Sequence, residues 1–447
     1  MKRKVLVLVL ILATVIPLSA KSFAQEEVNI SIRCRANEAA GELWRCNNFL
    51  DVEKQVEEAY GVDIVLELIQ DNEEWGPYKN SFVLASEAGE AVDIILSGHE
   101  DVGTWSTSEI IIPLDDLIAE HDEFKDMVPS LWDSVTYGGQ IWAVPQDAEA
   151  RPIYFSKPLL GDLGWSDEEI ESLPARIESG EFTFADMIDV ATEAVDTGVV
   201  EEGKGFWHRP TNGTDFLYFY YGMGGEILDD EGHLVFDTDA ALRAYQALEA
   251  ARNSGAMNGS HLGLAWTDWH TIIAPADQVV FWAGGSYMWP EWANGYVADR
   301  GGQDYLFENV GYALMPALST GVPLEISHPL AYMVSSSAER PDIAVALIAA
   351  ITTPEFNNRH ALQSGHLGIL NTQLETEEYQ ADRLTSDIHP MLDYARFAPN
   401  HPGFGSWSEA FFMGIQAVET GELSAQEAVD TVEAQIVNEL GDNVVVR

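Results

Sequence analysis

Positive charge is what this sequence is shortest of. Its 447 residues hold 23 Lys and Arg against 73 Asp and Glu, a formal net charge of −50. Lys2, Arg3, Lys4 and Lys21 precede every acidic residue, so the chain beyond them carries −50 minus four, or −54. Such a surface offers few basic contacts, and neither nucleic acid nor an anionic membrane surface is expected as a partner. The acids are spread along the chain and not gathered in one run, which excludes a disordered acidic tail. Their mutual repulsion is screened by salt, so the composition fits saline surroundings.

Cysteine is almost absent: only Cys34 and Cys46 occur. They make no zinc site. In an oxidising compartment they form a disulfide worth roughly 3 kcal/mol, or they stay as separate thiols; Cα atoms within about 7 Å are required for the bond. Long apolar runs are missing too, except Val5–Leu18 behind Lys2-Arg3-Lys4. That run is too short to span a membrane and reads as a secretory signal over residues 1–24, with cleavage after Ala24 or, as the weaker option, Ala20. No cysteine stands at the cleavage point, so a free periplasmic protein is expected, without a lipid anchor.

Catalytic motifs are lacking. Gly198 to Gly203-Lys204-Gly205 has P-loop spacing but puts Gly where Ser or Thr must hold magnesium. There is no H-E-x-x-H and no G-x-S-x-G, and the 11 His show no metal spacing. Neither cofactor nor metal is called for, and an enzyme is not expected. Paired carboxylates of a secreted glycoside hydrolase stay open as a rival, since 73 acids guarantee pairs somewhere.

What is present is α/β periodicity over a length that exceeds one ordinary core, so two lobes are expected. Val28–Cys34 alternates as a strand. Phe49, Val52, Val56 and Ala59 recur at helical spacing up to Gly61, and Val62, Ile64, Leu66 and Leu68 alternate again. Strand, helix, strand implies a parallel pair with a crossover. A helix around Lys79–Ala88 leads to the buried-strand run Val92–Leu96. Its carboxyl end, with His99, Glu100 and Trp105, lies where ligands bind in open α/β sheets. Farther on, Thr183 caps one helix and Thr238/Asp239 another. Strands are expected at Val279–Trp282 and Val310–Met315, and helices from Pro341, from Pro354 to Gly365, over Trp407–Glu419 and over Ala425–Leu440.

The most informative stretch is Leu131–Leu160, LWDSVTYGGQIWAVPQDAEARPIYFSKPLL. A Gly138-Gly139 hairpin and a strand Ile141–Val144 lead to an acidic elbow between Pro145 and Pro152, and a second strand, Pro152–Phe155, follows. The elbow holds Asp147, Glu149 and Arg151. In order and spacing it resembles the hinge of extracellular solute-binding proteins, the family of the maltose-binding protein. Other segments resemble that family in its order: AVDIILSGHEDVG, TNGTDFLYFYYGMGGEIL, FWAGGSYMWPEW with NVGYALMPAL, HPLAYMVSSSAERPDIAVALIAAITTPEF, LQSGHLGILN and GFGSWSEAF.

The resemblance implies the two-lobed, type II periplasmic-binding-protein fold of α/β class, with three interlobe crossings and a ligand in the cleft. It divides the chain into an N-terminal lobe, 25–147 and 317–370, and a C-terminal lobe, 148–316 and 371–447. It also implies a monomer that binds a sugar and hands it to the membrane permease of an ABC importer. A sugar site needs carboxylates and amides for hydroxyls and flat aromatics for C–H faces. By resemblance Glu149 is the elbow carboxylate, and Trp289 and Trp407 stack on the sugar. Asp147, His99 and Glu100 lie in corresponding loops, with Trp75, Trp105 and Tyr218 or Tyr221 as further candidates. Glu149 has a structural alternative as partner of Arg151, Asp215 as a helix cap, and any of the 13 Trp as core. A polyamine or other cation is the alternative ligand, because aromatics and carboxylates also recognise cations.

Overall fold

A computed structural model describes residues 25–229 and 231–447. The expected signal, 1–24, lies outside the described residues. The strand Glu26–Arg35 turns Val28, Ile30, Ile32 and Cys34 inward in strict alternation. The helix Trp44–Tyr60 buries Phe49, Val52 and Val56 and closes on Gly61 at φ 68°, a left-handed cap that favours glycine. The strand Val62–Asp71 then pairs with the first in parallel, as a crossover requires. Cys34 and Cys46 are joined as a disulfide with Cα atoms 5.9 Å apart, which decides between the two expectations.

Two sheets organise the molecule. One runs Val62–Asp71, Glu26–Arg35, Ile94–Gly98, Leu330–Val334, Val144–Pro145, the first three strands parallel and the last two antiparallel to their neighbours. Pro145, which has no N–H to donate, sits on its edge strand. The other runs Val310–Ala313, Ile153–Ser156, Phe281–Ala283, Phe206–Trp207. Each anchors one lobe. The helix Pro341–Ile351 supports the first and is buried continuously from Ile343 to Ile351. Burying side chains such as Ile32, Phe49 and Leu347 contributes roughly 1.5–3 kcal/mol each before ordering entropy is charged.

The chain crosses between lobes three times: from Val144–Pro145 to Ile153–Ser156, from Val310–Ala313 back to Leu330–Val334, and from the helix Pro354–Ser364 to the helix Phe404–Thr420. The crossings are laced together. Glu325–Ser327 of the second pairs in parallel with Ala395–Phe397 of the third, and Ala148 of the first bridges Leu367 of the third. Gly365 caps its helix at φ 68°, and a Cβ there would lie 2.8 Å from the Ser286 carbonyl, so glycine permits the close approach of the lobes.

Helix starts follow capping chemistry. Thr183 with Asp186 and Ser424 with Glu427 form complete capping boxes. Three sequence expectations need correction. Asp237 caps Thr238–Asn253, because its carboxylate reaches the Ala240 N–H at 2.8 Å. Asp215 caps no helix; it is consumed by two arginines. The late helix starts at Phe404 and not at Trp407, which puts Trp407 one turn inside it.

Candidate ligand-binding cleft

The elbow of the first crossing is a row of buried charges. Asp147 is fully buried, its Oδ1 accepting the Leu330 N–H at 2.9 Å. Its Oδ2 meets His360 Nε2 at 3.1 Å, Arg45 Nη2 at 3.3 Å and His366 Nε2 at 3.6 Å. Burial alone would raise this carboxyl, but His366, His360 and Arg45 outweigh it and hold Asp147 well below the usual carboxylate range. Leu330 ends the second crossing and His366 lies in the third. One carboxylate therefore ties all three crossings.

Two residues on, the network turns toward the far lobe. Arg151 donates through Nη2 to Glu149 and through Nη1 to Asp215 Oδ1 at 2.7 Å. Asp215 Oδ2 accepts from Arg209 Nη1 at 3.2 Å. Burial opposes ionisation of Asp215, but the two guanidiniums hold its pKa at about 2. For Glu149 burial wins, and its carboxyl is raised despite Arg151. Behind it, buried Glu325 accepts from the Ile326 N–H at 2.8 Å and the Tyr218 hydroxyl at 3.2 Å, and burial pushes it up to about 8.

Between the lobes lies a cavity of about 940 Å³. The first-lobe wall presents Arg35, Trp75, Lys79 and Glu100; the second presents Arg209, Trp266, Tyr287 and Glu291, with Glu149 and Arg151 at the base. The Arg35 guanidinium lies 4.7 Å from the Trp75 ring, and that of Arg209 lies 5.4 Å from Trp266. Lys79 Nζ reaches Glu100 at 2.6 Å, and His328 Nε2 meets the other Glu100 oxygen at 2.7 Å. Tyr287 stacks on His366 at 5.6 Å, which links the far wall to the Asp147 hub. A polar cleft of this size with aromatic walls from two lobes is suited to a small polyhydroxyl ligand.

Residues 51–357 match the family of bacterial extracellular solute-binding proteins. The chain belongs to that family. A probable ABC transporter-binding protein of Deinococcus radiodurans is 21% identical over 323 residues, 70% of this chain and 72% of the relative. The GacH receptor of Streptomyces glaucescens, solved unliganded and with acarbose, superposes with a TM-score of 0.73 at 19% identity, over 93% of this chain and 99% of the receptor. The maltose-bound MalE3 of T. maritima gives a TM-score of 0.71 at 17% identity, over 92% and 99%. The fold is thus the two-lobed α/β architecture of maltose-binding-protein-type structures.

In this solute-binding protein the expected residues divide sharply. Glu149, Glu100 and Trp75 line the cleft, and Glu149 also has the Arg151 partnership that was its alternative. Six others do not line it. Trp407 is fully buried in the far-lobe core, its Nε1 donating to the Val235 carbonyl at 2.9 Å and its ring stacked on Phe411. Trp289 packs among Tyr154, Phe307 and Tyr312 because its short helix turns it inward. Trp105 packs on Phe82, 4.7 Å away, in the first-lobe core. Tyr218 spends its hydroxyl on Glu325, and neighbouring Tyr221 spends its own on the Phe397 carbonyl. His99 is pinned between the Pro329 and Ala398 carbonyls at 3.2 and 3.1 Å, and burial lowers its pKa to about 4. Asp147 is a hinge residue, spent on Arg45, His360 and His366.

Arg35, Lys79, Arg209, Trp266 and Tyr287 were missed. Arg35 has one readable signal: it ends a strand, beside a half-cystine, in a chain with few cations. Trp266 and Tyr287 have none, because the sequence positions that face the cleft are set by how loops fold across the far sheet.

Proposed function

We propose that this solute-binding protein captures a mono- or short oligosaccharide between its lobes and passes it to the permease of an ABC importer. The observation that carries the reading is the cleft itself: Trp75 on one wall, Trp266 and Tyr287 on the other, and charged hydrogen-bonding groups between them. Acarbose and maltose in the two similar structures support it. The reading includes export through residues 1–24 to the periplasm without a lipid anchor, and action as a monomer. It keeps the division into 25–147 with 317–370 and 148–316 with 371–447. Leu324 and Ile326, packed in the far-lobe core, favour placing the second crossing nearer Leu330.

A ligand that touches both walls binds the closed arrangement better than an open one and shifts the population by that difference. A thermal-shift screen over mono-, di- and trisaccharides, polyols and polyamines identifies the ligand class, since native-state binding raises the melting point. Small-angle scattering with the identified saccharide is expected to give a smaller radius of gyration. Binding of polyamines alone, or an unchanged radius at saturation, contradicts the proposal.

A further inference from the structure

Cations are scarce in this protein, and their distribution is uneven. Beyond the four N-terminal ones, 19 of the 23 Lys and Arg remain to face 73 acids. Five of them, Arg35, Arg45, Lys79, Arg151 and Arg209, line the one cleft. Among the described residues every one of the 19 has a carboxylate within 4.0 Å except Arg35 and Arg243. Arg243 gives Nη2 to the Met223 carbonyl at 2.7 Å, away from the cleft. Arg35 gives only Nε, to the Glu73 carbonyl at 2.6 Å, and both its terminal nitrogens lack a hydrogen-bond partner among the described residues.

We infer, building on the saccharide reading, that the cleft takes a saccharide bearing an anionic group, a carboxylate or an ester sulfate, and that the Arg35 fork reads that group. The Arg35 guanidinium lies over the Trp75 ring, 4.7 Å from its centroid, and the paired N–H groups of its edge match two oxygens of a carboxylate or sulfate. Glu42 and Glu74 act on Arg35 only at longer range, Glu42 being paired with Arg45 at 2.9 Å. Leaving a partly buried cation unpaired is costly, and burial does pull the Arg35 pKa down. In a chain so rich in acids, an arginine at the ligand site with no carboxylate within 4.0 Å among the described residues is a reserved one. The far wall repeats the motif: Arg209 lies over Trp266, shares Asp215 with Arg151, and has a buried Nε without a partner. Glu291, whose carboxyl is raised by burial and by Glu42, also lines the cleft and offers oxygens to ligand hydroxyls.

The test is calorimetric titration with matched probes: digalacturonate for the carboxylate, galactose 6-sulfate for the ester, galactose and maltose as neutral counterparts, and spermidine as the cation. The acidic probes are expected to bind at least about 10-fold tighter than neutral ones in the wild type. Which acidic probe binds identifies the source of the charge. Arg35→Gln is expected to lose about 10- to 100-fold for the acidic ligand and less than about 3-fold for a neutral one. Arg35→Lys, which keeps the charge and loses the fork, falls between. Thermal melts of both variants check folding, and the wild-type probe comparison stands even if a variant fails to fold. Equal or tighter binding of the neutral probes overturns the inference and leaves saccharide capture standing. Binding of spermidine alone, or of none of these probes, overturns both.

Discussion

The two walls of the cleft present the same motif, an arginine lying over a tryptophan, on different foundations. On the first lobe Arg35 ends a strand next to Cys34, and Arg45 starts a helix next to Cys46, so a disulfide ties together the backbone that carries both arginines. On the far lobe no covalent bond helps. Arg209, itself half-buried, is held by buried Asp215, which also holds buried Arg151, which in turn holds buried Glu149. One wall is fixed by restricting the unfolded chain, the other by a charge network in which each member compensates the rest. On the near wall Arg35, which belongs to no ion pair among the described residues, should therefore tolerate replacement, whereas the far wall should fail when any one charge is removed.

The largest expected effect lies on the far wall. Asp215→Asn leaves Arg151 and Arg209 short of their shared carboxylate inside the protein, and is expected to cost roughly 3–5 kcal/mol in urea unfolding. A loss under about 1 kcal/mol would mean that water already compensates the network and that the two walls do not differ. Next, replacing both Cys34 and Cys46 by serine is expected to cost about 2–4 kcal/mol. It should also weaken ligand binding through Arg35; unchanged affinity would show that Trp75 alone orients the guanidinium.

The walls should also differ in pH response. Glu325 accepts from the Tyr218 hydroxyl and the Arg151 backbone behind the far wall, and its pKa rises from 4.5 to about 8 on folding. A raised carboxyl gives stability that is complete below the unfolded value and is lost as pH climbs through the folded one. Urea midpoints are thus expected to fall between pH 5 and pH 8, by at most roughly 1.4 kcal/mol per pH unit. Glu325→Gln should remove that slope; an unchanged slope assigns it to other groups. Smaller still, Trp266→Ala is expected to lower ligand affinity by about 5- to 10-fold while costing less stability than a buried Trp such as Trp407. If stability falls as for Trp407, Trp266 is core and not wall. Last, a net charge of −54 on residues beyond the N-terminal cations should make stability rise gently from low to molar salt. A flat series would show that the acids are compensated locally.

Local chemistry made most of the fold legible. Alternation in Val28–Cys34, helical spacing from Phe49 to Val56, the Gly61 stop, the Thr183 cap and the prolines around the elbow all act over a few residues, and each element appears where those signals put it except the strand Ile141–Val144, which divides into Gln140–Ile141 and Val144–Pro145 in separate sheets. The acidic elbow was legible for the same reason, and Glu149 does sit at the cleft base. Trp289 and Trp407 were misread because a tryptophan in a Gly-rich segment looks the same in sequence whether it faces a ligand or a core. Trp407 went inward once its helix began at Phe404, one turn earlier than the spacing implied.

The sequence by itself determined the secondary elements, the two-lobed order and the scarcity of positive charge, because these depend on neighbours in the chain and on composition. The tertiary structure decided which cations are spent and which stay free. Pairing of Asp215 with Arg151, 64 positions away, or of Asp147 with His360, 213 positions away, is invisible to any local pattern. Burial sharpens these choices, since a charge removed from water must find a partner wherever the fold brings one, and Arg35 is left at the cleft with terminal nitrogens that no described residue pairs.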